Sequence, residues 1–398
     1  MELTFDKLIK FDLADNLQER LLSEEQQKLF IYFETLNQIG MVNRVIVELP
    51  SYPKSTDTIV RNQMVSAIGA TLAIEGQNLT QEEIEDAFKK AKNQQALRQG
   101  EQEAENARKV YDEFILSLVS SNTTQFKYSE TIIKEIHKRM TSGLNYPGNE
   151  PGQYRKLTSE IMFGYPPLPS LCRNEGEIQK AMNGFVNWLN HKDDGPITLQ
   201  PIVKAIMAHY YITEIHPFTD GNGRTGRALE ALVLFVNGIN RYCFWSLANF
   251  WSIHRTQYLT YLREVRETCN PWNLLICGMK GYLEEITRIK EMVRKKVKQL
   301  MFRDYAKWLV SSTHGQKKSL HDRIIPLLEW MEHRAPISTK KFVSSPELAI
   351  FYGSRTIHTR KRDLKKMLDA KLVRSFKEGE EEYIELNYQL LESLRYVV

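Results

Sequence analysis

HPFTDGNGR, residues 216–224, gathers an imidazole, a carboxylate, two glycines, an asparagine amide and a guanidinium into nine positions. Gly221 and Gly223 lack Cβ atoms, so the backbone here can turn sharply and approach a ligand closely. Beyond the stretch, Leu229, Leu232, Val233 and Val236 mark one apolar face, which predicts a helix from about Asn222 to Asn237. Before it, helical spacing predicts another helix over Gln200–Thr213. The nine residues are therefore a turn that feeds a helix N-terminus. Such an end presents unpaired N–H groups and a positive dipole, and it favours anions, phosphate above all. Arg224 and Arg227 fall on the first turn, where cations are unfavourable unless they grip an anion. A guanidinium fork matches phosphate oxygens.

The remaining side chains supply reactive groups. His216 sits just before the turn, restrained by Pro217, where a neutral imidazole can take a proton from an incoming hydroxyl. Asp220 is a hard oxygen ligand, and one carboxylate with phosphate oxygens and waters is a common way to hold Mg²⁺. Together these parts describe phosphoryl-type transfer, in which catalysis is positioning and charge stabilisation. There is no GxxxxGK[ST], so this is not a Walker P-loop. His209 shares an apolar face with Ile202, Ala205 and Ile206, and reads as a packed or structurally hydrogen-bonded histidine. Zinc is disfavoured because Pro217 follows His216 and no third ligand is in place.

The chain around this turn has 398 residues, too many for one ordinary core, and predicts two or three domains. Hydrophobic residues make up 42% and charged residues 26%, a globular composition. The net charge of +5 is too small for whole-protein attraction to nucleic acid. Cys172, Cys243, Cys269 and Cys277 fit neither a CxxC metal pattern nor a dense disulfide framework, which places the chain in a reducing compartment. The first residues do not read as a signal peptide, and no run approaches about 18 uninterrupted apolar residues. The expectation is a cytoplasmic protein with no membrane contact.

Helical periodicity dominates the chain. Residues 1–55 read as irregular apart from a short helix near SEEQQKLFIYFETLNQIG. From Thr56 to about Glu75, Ile59, Val60, Met64, Ala67, Ile68 and Leu72 recur at helical spacing, and Gly76 stands at the cap position. A further helix opens at Thr80, with Thr80 and Glu83 as a capping box, and helical pattern runs on to about Ser120 with a break near Gly100. Residues 145–169 hold five of the fourteen prolines and predict a long loop with a short hairpin. Helices follow at Glu175–Asn190 and from Trp251 to about Val310. SSTHGQKKS, 311–319, reads as a linker. Beyond it, helices at about 320–333, 338–349 and from Ser354, then two strands in RSFKEGEEEYIEL, give the order of a winged helix-turn-helix domain. From Arg355 to Lys377 nine Lys/Arg face only Asp363 and Asp369. That third helix suits a major groove, whereas the acidic EGEEEYIE at the wing does not, so DNA contact and protein contact both stay open.

HPFTDGNGRTGR resembles the signature HxFx(D/E)GNGRxxR of Fic (filamentation induced by cAMP) domains at every fixed position. The preceding PIVKAIMAHYYITEIHPF, GQYR (152–155) and YPPLP (165–169) resemble the family's preceding helix, the start of its substrate flap and the proline-rich stretch after it. The resemblance covers about residues 55–310. It implies a mainly α fold: an all-helical Fic core over 121–310 with a short β-hairpin flap, preceded by an N-terminal helical region (1–120) and followed by the winged-helix domain (320–398). It also implies transfer of AMP from ATP to a Ser, Thr or Tyr hydroxyl of a protein. In that implied scheme His216 is the base and Asp220 binds Mg²⁺. Gly221, Asn222 and Gly223 cradle the α-phosphate, and Arg224 and Arg227 take the distal phosphates. TLAIEG, 71–76, resembles the inhibitory motif (S/T)xxxE(G/N), on a helix of about 56–76. Its Glu75 would occupy Arg227 and make the chain an autoinhibited, N-terminal-helix member. Tyr258 and Tyr261 resemble a tyrosine-containing helix after the core, and either border the base pocket or pack. KLTSEIMFG departs from the family's commoner flap turn. The target protein, self-modification, a homodimer, another donor, removal of AMP, and a DNA-binding regulator that senses nucleotide all remain open at this point.

Overall fold

Most of the described backbone is helical in the computed structural model of this chain, which describes residues 24–48, 53–120, 126–156, 162–163, 168–191, 200–239, 247–313, 318–332, 334, 336–353 and 355–393. Two compact units divide it, Met1–Lys290 and Glu291–Val398.

The first unit opens with α1 (Glu24–Glu48), α2 (Pro53–Ile74), α3 (Gln81–Lys92) and α4 (Gln99–Arg108). A π-helical turn (Lys109–Ile115) leads into α5 (Leu116–Ser120), and α6 (Glu130–Thr141) follows. Strands β1 (Met162–Phe163) and β2 (Leu168–Pro169) pair antiparallel, Met162 opposite Pro169 and Phe163 opposite Leu168. Then come α7 (Glu175–Asn190), α8 (Pro201–Ile215), α9 (Asn222–Val236), α10 (Ala248–Ile253), α11 (Arg255–Thr268) and α12 (Trp272–Thr313). The centre is the pair α8 and α9, which pack on each other and are buried on nearly every side. Helices buried on every side lie inside a larger body, and the charged residues that α9 buries are paired there. Around this pair α6 packs against α9 and α7 against α8, and α10 packs against α2.

Two expectations change here. The short helix expected near residues 23–40 is the first part of a longer α1, which Tyr32, Thr35, Ile39 and Ile46 bury along one stripe. Gly40 lies inside the helix, where it costs only about 1 kcal/mol, less than that stripe returns. The break expected near Gly100 falls at residues 93–98 instead. Glu101 accepts the Arg98 backbone N–H at 2.9 Å and starts α4 at Gln99, leaving Gly100 inside the helix. Much of the flap, 157–161 and 164–167, lies outside the described residues, including most of KLTSEIMFG and YPPLP.

In the second unit α13 (Lys318–Glu332), β3 (Ile337–Ser338), α14 (Thr339–Ser344), a 3₁₀ turn (Pro346–Leu348), α15 (Ala349–Tyr352), α16 (Ile357–Asp369), β4 (Val373–Glu378), β5 (Glu381–Leu386) and α17 (Leu390–Ser393) follow in order. The sheet order is β3–β5–β4, with Ile384 opposite both Ile337 and Ser375. Phe342, Leu348, Tyr352, Leu364, Met367 and Ile384 fill the core. The single helix expected over 338–349 is split, because Pro346 has no N–H to continue it. The expected linker, 311–319, is helical through Thr313 and again from Lys318, and 314–317 lie outside the described residues. The units divide earlier, within α12, because Phe302, Ala306 and Val310 join the core of the second unit. No helix among the described residues is long and apolar enough to cross a membrane.

One detail of α2 bears on the site. Its end is a Schellman cap: Gln77 N–H donates to Leu72 O at 2.9 Å and Gly76 N–H to Ala73 O at 3.0 Å. Gly76 has φ +90° and open space around its missing Cβ, so Gly76→Ala meets a purely conformational penalty. The expected loss is about 1–2 kcal/mol, read as a lower urea midpoint at unchanged slope.

Candidate active site

The turn between α8 and α9 is held in an unusual backbone conformation. His216 ends α8 with φ 48° and ψ 57°, in the left-handed region that non-glycine residues rarely occupy. Gly221 opens α9 with φ 75°, and a Cβ there would lie 2.7 Å from Thr141. Between them Asn222 brackets the loop. Its Oδ1 accepts Phe218 N–H at 3.0 Å and its Nδ2 donates to Phe218 O at 2.8 Å. The side chain expected at the α-phosphate is therefore engaged in closing the turn, and Asn222 has its backbone N–H to offer a ligand. The first intrahelical bond runs from Thr225 N–H to Gly221 O at 2.9 Å, so the amides of Asn222, Gly223 and Arg224 precede the ladder.

Two side chains that the motif does not include fix this turn from outside. Arg155 Nε donates to His216 O at 2.7 Å, and its backbone N–H donates to Pro217 O at 2.9 Å. The same guanidinium reaches Ser170 Oγ and Cys172 O beyond β2. His137, on α6, stacks on Phe218 with ring centroids 3.7 Å apart. Its Nδ1 accepts Gly152 N–H at 2.9 Å, which assigns the proton to Nε2, and Nε2 donates to Asp220 O at 2.9 Å. GQYR marks Arg155 in the sequence; nothing local marks His137.

His216 Nδ1 lies 3.3 Å from Thr213 O. A carbonyl can only accept, so Nδ1 carries the proton and Nε2 is the basic nitrogen. Burial, with Arg155 nearby, holds the His216 imidazole down at about 4. At neutral pH the ring is uncharged and able to accept a proton.

Both arginines of the turn are buried and paired with carboxylates. Arg227, 1% exposed, donates from Nη2 to Glu75 Oε1 at 2.5 Å and to Thr71 O at 3.3 Å. Desolvation works to raise the Glu75 carboxyl, but Arg227, then Arg224 and Arg255, outweigh it and hold it below the ordinary carboxylate range. Arg224, 4% exposed, donates from Nη2 to Asp220 Oδ2 at 2.8 Å, and its Nη1 lies 3.2 Å from Glu103 Oε2. Arg224 Nε and Nη1 and Arg227 Nε are buried and make no hydrogen bond among the described residues. Of these, Arg224 Nη1 is ion-paired with Glu103 and the two Nε atoms have no described partner, and donors of this kind at a helix N-terminus fit phosphate oxygens.

Asp220, 39% exposed, presents the one accessible carboxylate of the turn. No group of three or more His, Cys, Asp or Glu converges into a metal cage among the described residues. A single carboxylate fits Mg²⁺ shared with phosphates and water, and does not fit a metal held by protein alone.

The tyrosines part ways. Tyr258 OH donates to His209 Nε2 at 3.0 Å, His209 Nδ1–H to Glu230 Oε2 at 3.0 Å, and Leu247 N–H to Glu230 Oε1 at 2.9 Å. This relay is buried, so Tyr258 and His209 both pack in the core and hydrogen-bond there. Tyr261 is partly exposed and accepts Gln257 Nε2 at 2.8 Å.

Comparison with known proteins agrees with this geometry. Residues 127–234 match the Fic/DOC family model. A stretch of 121 residues is 40% identical to the protein adenylyltransferase Fic of Nematostella vectensis, covering 29% of this chain and 26% of that protein. A stretch of 185 residues is 30% identical to a probable protein adenylyltransferase of Aquifex aeolicus, covering 46% and 50%. The chain thus matches half or less of the length of these relatives. Among solved structures, a Fic family protein from Desulfovibrio desulfuricans superposes with a TM-score of 0.54 at 17% identity, over 92% of this chain and 97% of that one. A segment of Fic-1 from Caenorhabditis elegans gives 0.52 at 19%, over 68% and 74%. These two share the fold. Residues 127–234 are a Fic domain.

The tautomer and burial of His216 predict its titration. Followed by proton–carbon NMR, its ring should titrate at about 4, while an exposed histidine titrates near 6.5. Because the unfolded chain binds that proton first, the ring should subtract stability as pH falls from about 6.5 toward about 4. A midpoint at or above about 6.5 would contradict the neutral assignment of this half-buried ring.

Proposed function

We propose that this chain is a protein adenylyltransferase of the Fic type, which moves AMP from ATP to a Ser, Thr or Tyr hydroxyl and is restrained by Glu75. The observation that carries this reading is the set of orphaned guanidinium donors at the N-terminus of α9, beside a neutral imidazole. Adenylyltransferase is also the name of the relatives matched over the Fic domain.

In this reading the amides of Asn222, Gly223 and Arg224 hold the α-phosphate, and the Arg224 and Arg227 forks hold the distal phosphates. Asp220 would hold Mg²⁺, which when bound supplies charge neutralisation to the phosphate oxygens. His216 Nε2 accepts the proton of the target hydroxyl as its oxygen bonds to the α-phosphorus. The bond from that phosphorus to its bridging oxygen breaks, and pyrophosphate leaves. The target backbone lies along β1 as an added strand, with the flap anchored by Arg266, which donates to Pro169 O. Glu75 competes with the γ-phosphate for Arg227. Cys172, Cys269 and Cys277, none of them disulfide-bonded, agree with a cytoplasmic setting.

The test uses ATP radiolabelled at the α-phosphate, with Mg²⁺, and reads label on the protein and on a lysate. Glu75→Gly should raise labelling about tenfold or more, the scale of a charge-assisted hydrogen bond of about 1.5–3 kcal/mol. Adding His216→Ala should cut it by about 10²–10⁴. Equal labelling by wild type and Glu75→Gly would remove the restraint from the model. Label from another nucleotide alone would reassign the donor.

A second reading, a DNA-binding regulator whose Fic domain senses nucleotide, has one observation in its favour. With its helix order and three-stranded sheet, the second unit reads as a winged helix, and Arg355 just before α16 and His358, Lys361, Arg362 and Lys365 along it are all exposed. Asp363 is turned inward, bound by Arg323 Nε and Nη2 at 3.1 Å. Exposed Glu378, Glu380, Glu381 and Glu382 at the hairpin oppose that reading. Duplex binding that weakens steeply with salt and is lost in Lys361→Glu/Arg362→Glu would support it. No binding at low salt would leave this unit a protein-contact module.

A further inference from the structure

Arg224 faces two carboxylates of different character. Asp220 is accessible and sits on the turn itself. Glu103 is 1% exposed and projects from α4. Tyr146 OH donates to Glu103 Oε1, and the Tyr146 ring lies 5.3 Å from the Arg224 guanidinium. Glu103 is thus held in place by a second residue, whereas the described partner of the Asp220 carboxylate is Arg224 alone.

This difference matters because a buried guanidinium holds its last carboxylate tightly. With Asp220 as sole counter-charge, Arg224 would compete with any cation for that carboxylate. With Glu103 in place, Arg224 keeps a buried counter-charge when Asp220 turns away. We propose that Glu103, fixed by Tyr146, is a seat for Arg224 that releases Asp220 to exchange its arginine for Mg²⁺ when nucleotide binds. The inference rests on the nucleotide-transfer reading of this site. Glu103 acts through Arg224 and is a positioning residue.

The experiment titrates Mn²⁺, as a paramagnetic stand-in for Mg²⁺, into the full chain carrying Glu75→Gly and a non-hydrolysable ATP analogue. Free Mn²⁺ is counted by electron paramagnetic resonance, and analogue affinity without metal is measured separately by calorimetry. Glu103→Gln should weaken Mn²⁺ about tenfold while metal-free analogue affinity stays within about twofold, a loss on the scale of one strained charge pair. Glu103→Asp should recover most of that loss, and Tyr146→Phe should show a smaller one. In an Arg224→Ala background the effect of Glu103→Gln should vanish, because a seat without an occupant has nothing to hold.

Persistence of the effect without Arg224 would assign it to the general field of the carboxylate and overturn the proposal. Parallel loss of metal-bound and metal-free affinity, or no loss of either, would also overturn it. If Glu103→Gln does not fold, judged by circular dichroism, Tyr146→Phe and Glu103→Asp decide, and unchanged Mn²⁺ affinity in both overturns the seat. A parent that binds analogue and Mn²⁺ yet transfers no label refutes the transferase reading and leaves the seat to these titrations. A parent that binds neither refutes both.

Discussion

Two guanidinium groups stand almost wholly buried at the positive end of one helix. Each is costly to desolvate, and the dipole of α9 adds a repulsion of the same sign. The fold meets this with three carboxylates drawn from three places: Glu75 at the end of α2, Glu103 in α4 and Asp220 on the turn. The N-terminal helices are therefore part of the electrostatic closure of the site. Were Glu75 absent, Arg227 would lose its carboxylate while Nη2 kept Thr71 O at 3.3 Å, and the buried charge would favour any anion of suitable shape. In the resting chain, protein carboxylates thus neutralise charges that phosphates would neutralise in a complex.

The second constraint is backbone geometry. A histidine at φ 48° and a glycine at φ 75° within six residues do not hold themselves, and such conformations cost about 1–3 kcal/mol each for non-glycine residues. The surroundings over-determine the turn. Asn222 ties both backbone groups of Phe218, Arg155 takes the carbonyls of His216 and Pro217 through side chain and backbone, and His137 takes that of Asp220. Because Arg155 also binds the chain beyond β2, the same guanidinium ties that segment to the backbone of His216. The position of His216 is thereby linked to the surface on which a target backbone would lie.

How much of this was legible depended on range in sequence. The turn was legible because its glycines, its flanking apolar stripes and its first-turn arginines are all local signals. Glu75 was legible because a carboxylate at a helix C-terminus contradicts the dipole and so asks for a partner. Glu103 was not singled out, although a signal existed: QGEQEAENAR has no large apolar residue, so a buried helix of that composition must satisfy its acids with cations. Glu101 does so with Lys90 and Arg98, and Glu105 with Arg108. His137 and the Tyr258–His209–Glu230 relay were beyond reach, since periodicity gives which side faces inward and not which polar atoms meet there. The length of α1 and the split at Pro346 were misread for opposite reasons. The apolar stripe of α1 runs on past the stretch that suggested a short helix, whereas Pro346, with no N–H, stops a periodicity that reads as one helix.

The restraint proposed for Glu75 rests on a contact of definite physical character. Glu75 is the terminal residue of a Schellman-capped helix whose last carbonyl, Ile74 O, accepts Arg255 Nε at 3.0 Å. Its carboxylate is therefore placed by backbone that is pinned on both sides of the cap. Its pKa lies below the ordinary carboxylate value, first through Arg227 and then Arg224 and Arg255, against the opposing effect of desolvation. A depressed carboxyl contributes its stability above the ordinary pKa and loses it only as pH falls through the lower folded value. Near neutral pH the ion pair is fully charged, and no physiological change of pH discharges it. Release of Arg227 must then come from movement of the α2 terminus or from an anion that binds Arg227 better than Glu75 does. The first route implies an input through α2, α10 or Arg255, the elements that hold the cap. The second makes nucleotide itself the competitor, and it sets the restraint by the ratio of two affinities for one guanidinium.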